Sequence, residues 1–195
     1  MPKVVDHDRY RKELLTGCLD LFAERGYGSI TMRQIAKGLG VSTGTLYHYF
    51  SSKESIFIQL VQELCEQDVY SFLAQAPEVD NVEGRLQAIL DFVFQNAQYY
   101  YQQVLLWVDF VQQTPQIPDR DTHVLRQVWQ RMRDSLAVYL QLSKPELVDF
   151  VMVFIDGLIL QYVYDHGYGI TTKETAWFQQ QSQLMMQMVI HHDQI

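Results

Sequence analysis

Cysteine is nearly absent from this chain, with two residues in 195, Cys18 and Cys65. Neither belongs to a Cys-x-x-Cys pair, which argues against a disulfide framework or a thiol-based metal site. Both sit among apolar residues at helical spacing and are expected as reduced, buried thiols. Glycine (10) and proline (5) are sparse, and neither a low-complexity tract nor a fixed-period repeat is visible.

Long apolar runs are missing too. The longest, Phe150 to Tyr164, is interrupted by Asp156 and Gln161, and is too short and too polar to cross a bilayer. The first residues lack the apolar stretch of a secretion signal. A cytoplasmic chain without a membrane partner is therefore expected. Catalytic patterns are also lacking. The six histidines show no His-Glu-x-x-His or zinc spacing. There is no Gly-x-Ser-x-Gly and no phosphate-cradling glycine loop. The expectation is a protein that is not an enzyme, with no metal and no cofactor.

Positive charge is scarce: 15 Lys and Arg against 23 Asp and Glu, a net charge of -8. That balance argues superficially against a nucleic-acid partner, but its distribution does not. Residues 1–56 carry eight basic and six acidic residues, or +2, whereas the remainder carries seven and 17, or -10. The acid is segregated from the N-terminal segment, and a local basic footprint is enough to meet phosphates.

What is present is helix. Clean period-2 alternation is absent. Asp6 can cap a first helix that Gly26 stops. Thr31 and Gln34 make a capping box for a second, Ser42 caps a third, and Ser52 caps a longer fourth. Further helices are expected over about 83–101, 104–113, 123–142, 144–165 and 173–191, with a proline loop at Pro115 and Pro118. The fold class is all-α, with about nine helices, the first three short. A boundary inside the fourth helix separates residues 1–56 from 57–195.

Residues 32–51 form the most specific pattern. Two helices packed around a short turn need a small residue at their contact, and Ala36 fits. They need a residue tolerant of positive φ in the turn, and Gly40 fits. Ile35, Leu39, Val41, Leu46 and Tyr49 supply the inward apolar positions. The outward face suits DNA. Ser42, Thr43, Gly44 and Thr45 are small, so the start of the third helix can approach a phosphate or a base edge closely. Tyr47 and His48 project further along. Arg33 can offer its fork to guanine O6 and N7. Lys53 opens the next helix, where a cation opposes the helix dipole, and so reads better as a phosphate contact than as a stabiliser.

These residues resemble the signature of the TetR family of regulators. The matching stretches run Ile30 to Ala36, Gly40 to Phe50 and Ser52 to Glu54, preceded by Leu21 to Tyr27; the close match covers about residues 10–57. The resemblance implies an N-terminal three-helix DNA-binding domain with a helix-turn-helix, and a C-terminal helical domain for ligand binding and dimerisation. It implies phosphate contacts from Thr31, Thr43, Tyr47, Tyr49 and Lys53, and base contacts from Arg33 and Thr45. Many members have histidine directly before the phenylalanine, where this chain has Tyr49. His48 lies one place earlier, so its role stays open between phosphate and base.

In the C-terminal part, the segments 144–165 and 173–191 are apolar on more than one side. Phe150, Phe154, Leu158, Tyr162, Trp177, Leu184 and Met188 are the interface candidates, and the resemblance implies a four-helix homodimer interface. The aromatic residues between Phe92 and Phe110 read either as plain core or as a mostly apolar pocket. The resemblance favours a pocket for a small, mostly apolar effector, with Tyr100, Trp107 and Phe110 as its lining. Asp109 and Asp156 can meet a cationic ligand, pair with an arginine or cap a helix. The expected function is a repressor released from a palindromic double-stranded operator by an effector. An activator, and a ligand-binding protein that no longer reads DNA, are the alternatives.

Overall fold

The computed structural model describes residues 6–114, 119–167 and 174–195, with nine α-helices and no strand among them. In chain order these are α1 (His7–Arg25), α2 (Met32–Gly38), α3 (Thr43–Tyr49), α4 (Lys53–Gln75), α5 (Val82–Gln95), α6 (Ala97–Gln113), α7 (Asp119–Leu140), α8 (Pro145–Gly167) and α9 (Glu174–Asp193). The expected loop at Pro115 and Pro118 lies outside the described residues. No helix of the described residues is long and apolar enough to cross a membrane.

Several boundaries differ from expectation, among them the start of α6, which lies at Ala97 rather than near residue 104. The first helix is not short, since α1 runs for 19 residues. α5 ends at Gln95, well before residue 101, because Asn96 leaves the helical conformation and its side-chain amide donates to the Phe92 carbonyl. The backbone carbonyl of Asn96 then receives the amides of Tyr99 and Tyr100 and starts α6. α7 begins at Asp119, four residues before the expected start.

The described residues group into two compact units. The first comprises the chain to Asp68 with 105–128, and the second comprises 69–104 with 129–195. In the first unit Leu14, Leu15, Cys18 and Phe22 of α1 are buried, as are Ile35, Ala36, Leu46, Phe50, Ile56, Phe57 and Leu60. Lys12 pairs with the buried Glu63 of α4 at 3.0 Å. Two glycines let α1 and α2 approach closely. A Cβ on Gly38 would lie 2.5 Å from Leu21 Cδ2, and one on Gly17 would lie 2.6 Å from Leu39 Cδ2. The second unit is built on Leu86, Ile89, Leu90 and Val93 of α5, Leu140, Val151, Leu158, and Met185, Met186 and Val189 of α9. α9 packs on both α5 and α8.

Candidate nucleic-acid interface

The α2–α3 pair is set by capping at every end. The Thr31 hydroxyl accepts from the Gln34 amide, and the Gln34 side chain accepts from the Thr31 amide at 2.9 Å, completing the expected box. At the other end Gly40 takes φ +69°, its amide bonds the Lys37 carbonyl, and the Val41 amide bonds the Ala36 carbonyl. This is a Schellman termination, which needs a residue at ease with positive φ. Ser42 then accepts from the Thr45 amide at 2.9 Å and opens α3. Leu46, fully buried, anchors α3 inward.

The outward face divides in two. Arg33, Gly44, Tyr47 and His48 are exposed, and Thr43 and Thr45 are half-buried. A Cβ on Gly44 would meet only Ser42 Oγ, at 3.7 Å, so the ground above this glycine is clear. Ser42 and Thr31 are exposed but engaged as caps, and the Thr45 hydroxyl lies 2.8 Å from Ser42 Oγ. These hydroxyls serve the helix starts first.

Lys53 has partners within the fold that its sequence position did not suggest. Its ammonium donates to the carbonyls of Tyr27, at 2.6 Å, and Ile30, at 3.1 Å, and sits 4.3 Å from the centre of the Tyr27 ring. The loop before α2 thus presents acceptors that offset the unfavourable dipole at the start of α4. Lys53 therefore steadies that loop through two of the three donors of its ammonium group. Sequence reasoning also passed over His7. Its Nδ1 lies 2.7 Å from the Tyr49 hydroxyl, and its ring is 6.1 Å from that of His48. Tyr10 meets Tyr49 edge-on at 5.5 Å. The exposed ring of His7, 42 positions away in sequence, therefore borders the end of α3.

Two of the proposed pocket residues, Trp107 and Phe110, come together in the first unit, with ring centres 6.1 Å apart. Phe110 is 1% exposed and stacks on Phe57 with ring centres 4.0 Å apart. Trp107 meets Phe57 edge-on at 5.5 Å, and Tyr27 packs on both Phe57 and Phe110. Those aromatics form the core of the first unit, which is why Phe110 is not a lining residue. Tyr100 packs against the core of the second unit. An open cleft of about 760 Å³ in the second unit is lined instead by Leu73, Arg85, Asp134, Val138 and Tyr139, among others. Asp109 accepts a hydrogen bond from the Gly28 amide, and Asp156 is exposed on α8.

Of the interface candidates, Leu158 is 5% exposed and belongs to the core of its own unit, a correction of the expected role. Phe154 and Tyr162 are half-buried. Phe150, Trp177, Leu184 and Met188 are exposed, together with Val153, Leu160 and Tyr164.

Comparison with known proteins gives a consistent picture. Residues 14–60 match the model of the bacterial regulatory proteins of the tetR family. The chain is 19% identical over 176 residues to the negative transcriptional regulator IcaR of the biofilm operon in Staphylococcus epidermidis, covering 88% of this chain and 94% of that one. It is 32% identical over 108 residues to the transcriptional repressor KstR2 of Mycobacterium tuberculosis, covering 55% of this chain and 54% of that one. Among solved structures, the transcriptional regulator FadR of Bacillus subtilis, in complex with stearoyl-CoA, superimposes with a TM-score of 0.69 at 18% identity, over 91% of this chain and 97% of that one.

Proposed function

We propose that this chain, whose residues 14–60 match the tetR family model, is a TetR-family, sequence-specific repressor that a small-molecule effector releases from a palindromic operator. The observation that carries this reading is the exposed set Arg33, Gly44, Tyr47 and His48 on a helix pair whose turn and caps are complete. DNA reading is assigned to residues 1–56, and effector binding and dimerisation to 57–195. Tyr47, Tyr49, Thr31 and Thr43 hold phosphates, while Arg33 and Thr45 read base edges.

A homodimer follows from the exposed apolar residues of α8 and α9. Phe150, Val153, Leu160, Trp177, Leu184 and Met188 give these helices a second apolar side beyond their own core. Two copies about a two-fold axis would set the recognition helices about 34–36 Å apart, or a multiple of this, matching the spacing of half-sites. The FadR–stearoyl-CoA complex supports a mostly apolar effector for this fold. The ligand changes DNA affinity to the extent that it favours one dimer geometry over another.

The test is a gel shift with DNA from around the chain's own gene across a range of salt. A salt-dependent shift that a scrambled duplex fails to compete supports the reading. Absence of any shift sinks it.

A further inference from the structure

Tyr49 is read above as a phosphate contact, and the present inference rests on that reading. A phenol has one proton to donate and two lone pairs. In this structure the Tyr49 oxygen lies 2.7 Å from His7 Nδ1. Two proton arrangements fit that distance. If Nδ1 is bare, the phenol spends its only proton on the imidazole and has none for DNA. If Nδ1 carries hydrogen, the imidazole donates to the phenol oxygen and the phenolic proton is free for a phosphate oxygen.

We propose that His7 is a positioning residue for DNA binding, which turns the Tyr49 hydroxyl outward as a phosphate donor when its own ring is protonated. The imidazolium carries hydrogen on both nitrogens and so fixes the productive arrangement. A phosphate near the pair favours that charged form. Binding then takes up a proton at the His7 ring in each protomer, and the Tyr49 O–H shifts from histidine to phosphate with no covalent change. The ionisable neighbours of His7 are His48 and Tyr49 by ring contact, with Tyr10 against the far side of the pair on Tyr49 and Asp6, Asp8 and Arg9 beside His7 in sequence. Asp6 caps the Arg9 amide, and Arg9 pairs with Glu13. Of these side-chain types only imidazole ordinarily changes charge between about pH 5 and 8. The hydrogen bond to Tyr49 singles out His7 over His48.

The experiment uses the full chain and a labelled duplex selected from random DNA by the wild-type protein, titrated at fixed salt from pH 6 to pH 8.5. Each proton taken up is worth up to about tenfold in affinity per pH unit. Wild-type affinity should fall at least several-fold as pH rises across the window. His7→Ala and Tyr49→Phe should each flatten the profile, and the double variant should lose no more than either single one. His48→Asn should keep the slope. A wild-type slope that survives in His7→Ala, or that vanishes only in His48→Asn, overturns the relay, as does a flat wild-type profile with tight binding. A wild-type chain that selects no DNA at any pH overturns instead the repressor reading beneath it. Exposure of His7 on the first turn of α1 leaves the fold of its variants intact, and circular dichroism checks this.

Discussion

The Asp109 carboxylate of α6 accepts a hydrogen bond from the Gly28 amide at 3.0 Å, across 81 positions of sequence. The bond pins the loop that follows α1, the same loop whose carbonyls hold Lys53. Asp109→Ala should cost about 1 kcal/mol, a modest loss because Gly28 is exposed and water can take its amide. Urea unfolding measures it, and hydrogen exchange at the Gly28 amide should speed up. Asp109→Asn keeps an acceptor and should recover most of both.

Lys53 and Arg33 should separate cleanly. Lys53→Met removes a charged donor from two carbonyls and should destabilise the fold by about 1–3 kcal/mol. DNA affinity should fall alike on specific and scrambled duplexes, through the loosened loop. Arg33→Ala should leave stability within about 0.5 kcal/mol, as expected for an exposed residue. It should cost about 1–3 kcal/mol per half-site on the preferred operator and relax choice at one base pair. Equal losses on both DNAs would make Arg33 a backbone anchor.

Leu184 of α9 is 53% exposed, whereas Leu158 of α8 is 5% exposed. Leu184→Glu should therefore yield a folded monomer that binds a palindrome far more weakly. Leu158→Glu should instead unfold the protomer, since it places a charge in a packed core. Light scattering with circular dichroism distinguishes the two. An unchanged dimer in Leu184→Glu would move the interface elsewhere.

Burial pushes the Cys18 thiol from 9.0 up to about 12, and burial also raises the Tyr27 phenol. Both groups are held neutral in the fold. The stability they contribute is complete below about pH 9 and is lost as pH climbs toward 12, because the unfolded chain releases their protons first. Urea midpoints should fall on that alkaline limb, and Cys18→Ala should soften the fall. Thiol reagents should reach Cys18 only on unfolding. Rapid labelling of the native protein would contradict its burial.

The helix-turn-helix was legible because its signals are local. Thr31 with Gln34, Gly40 and Ser42 each act on backbone within four residues, so sequence spacing alone identifies them. The partners of Lys53 and the place of His7 were missed for the opposite reason: the contacts span 26 and 42 positions. Gly17 and Gly38 were missed because a close helix approach leaves no mark on periodicity, and Ala36 filled the expected small slot. The aromatic residues of α6 could not be sorted, since burial in a core and lining of a pocket demand the same apolar types. Leu158 met the same ambiguity, because both sides of α8 are apolar.

The close approach at Gly38 bears on how this protein could be retargeted. Any side chain there would drive a Cβ into three carbons of Leu21, the nearest at 2.5 Å. A library built to change the operator can therefore randomise Arg33, Thr45, Tyr47 and His48, all of which face outward or sit at the surface. A side chain at position 38, five residues from Arg33, requires the half-buried Leu21 side chain to turn aside, so the two positions are best varied together. Clones that leave this pair mismatched would tilt α2 against α1, and a selection scored on binding alone would confuse that loss with misreading of DNA.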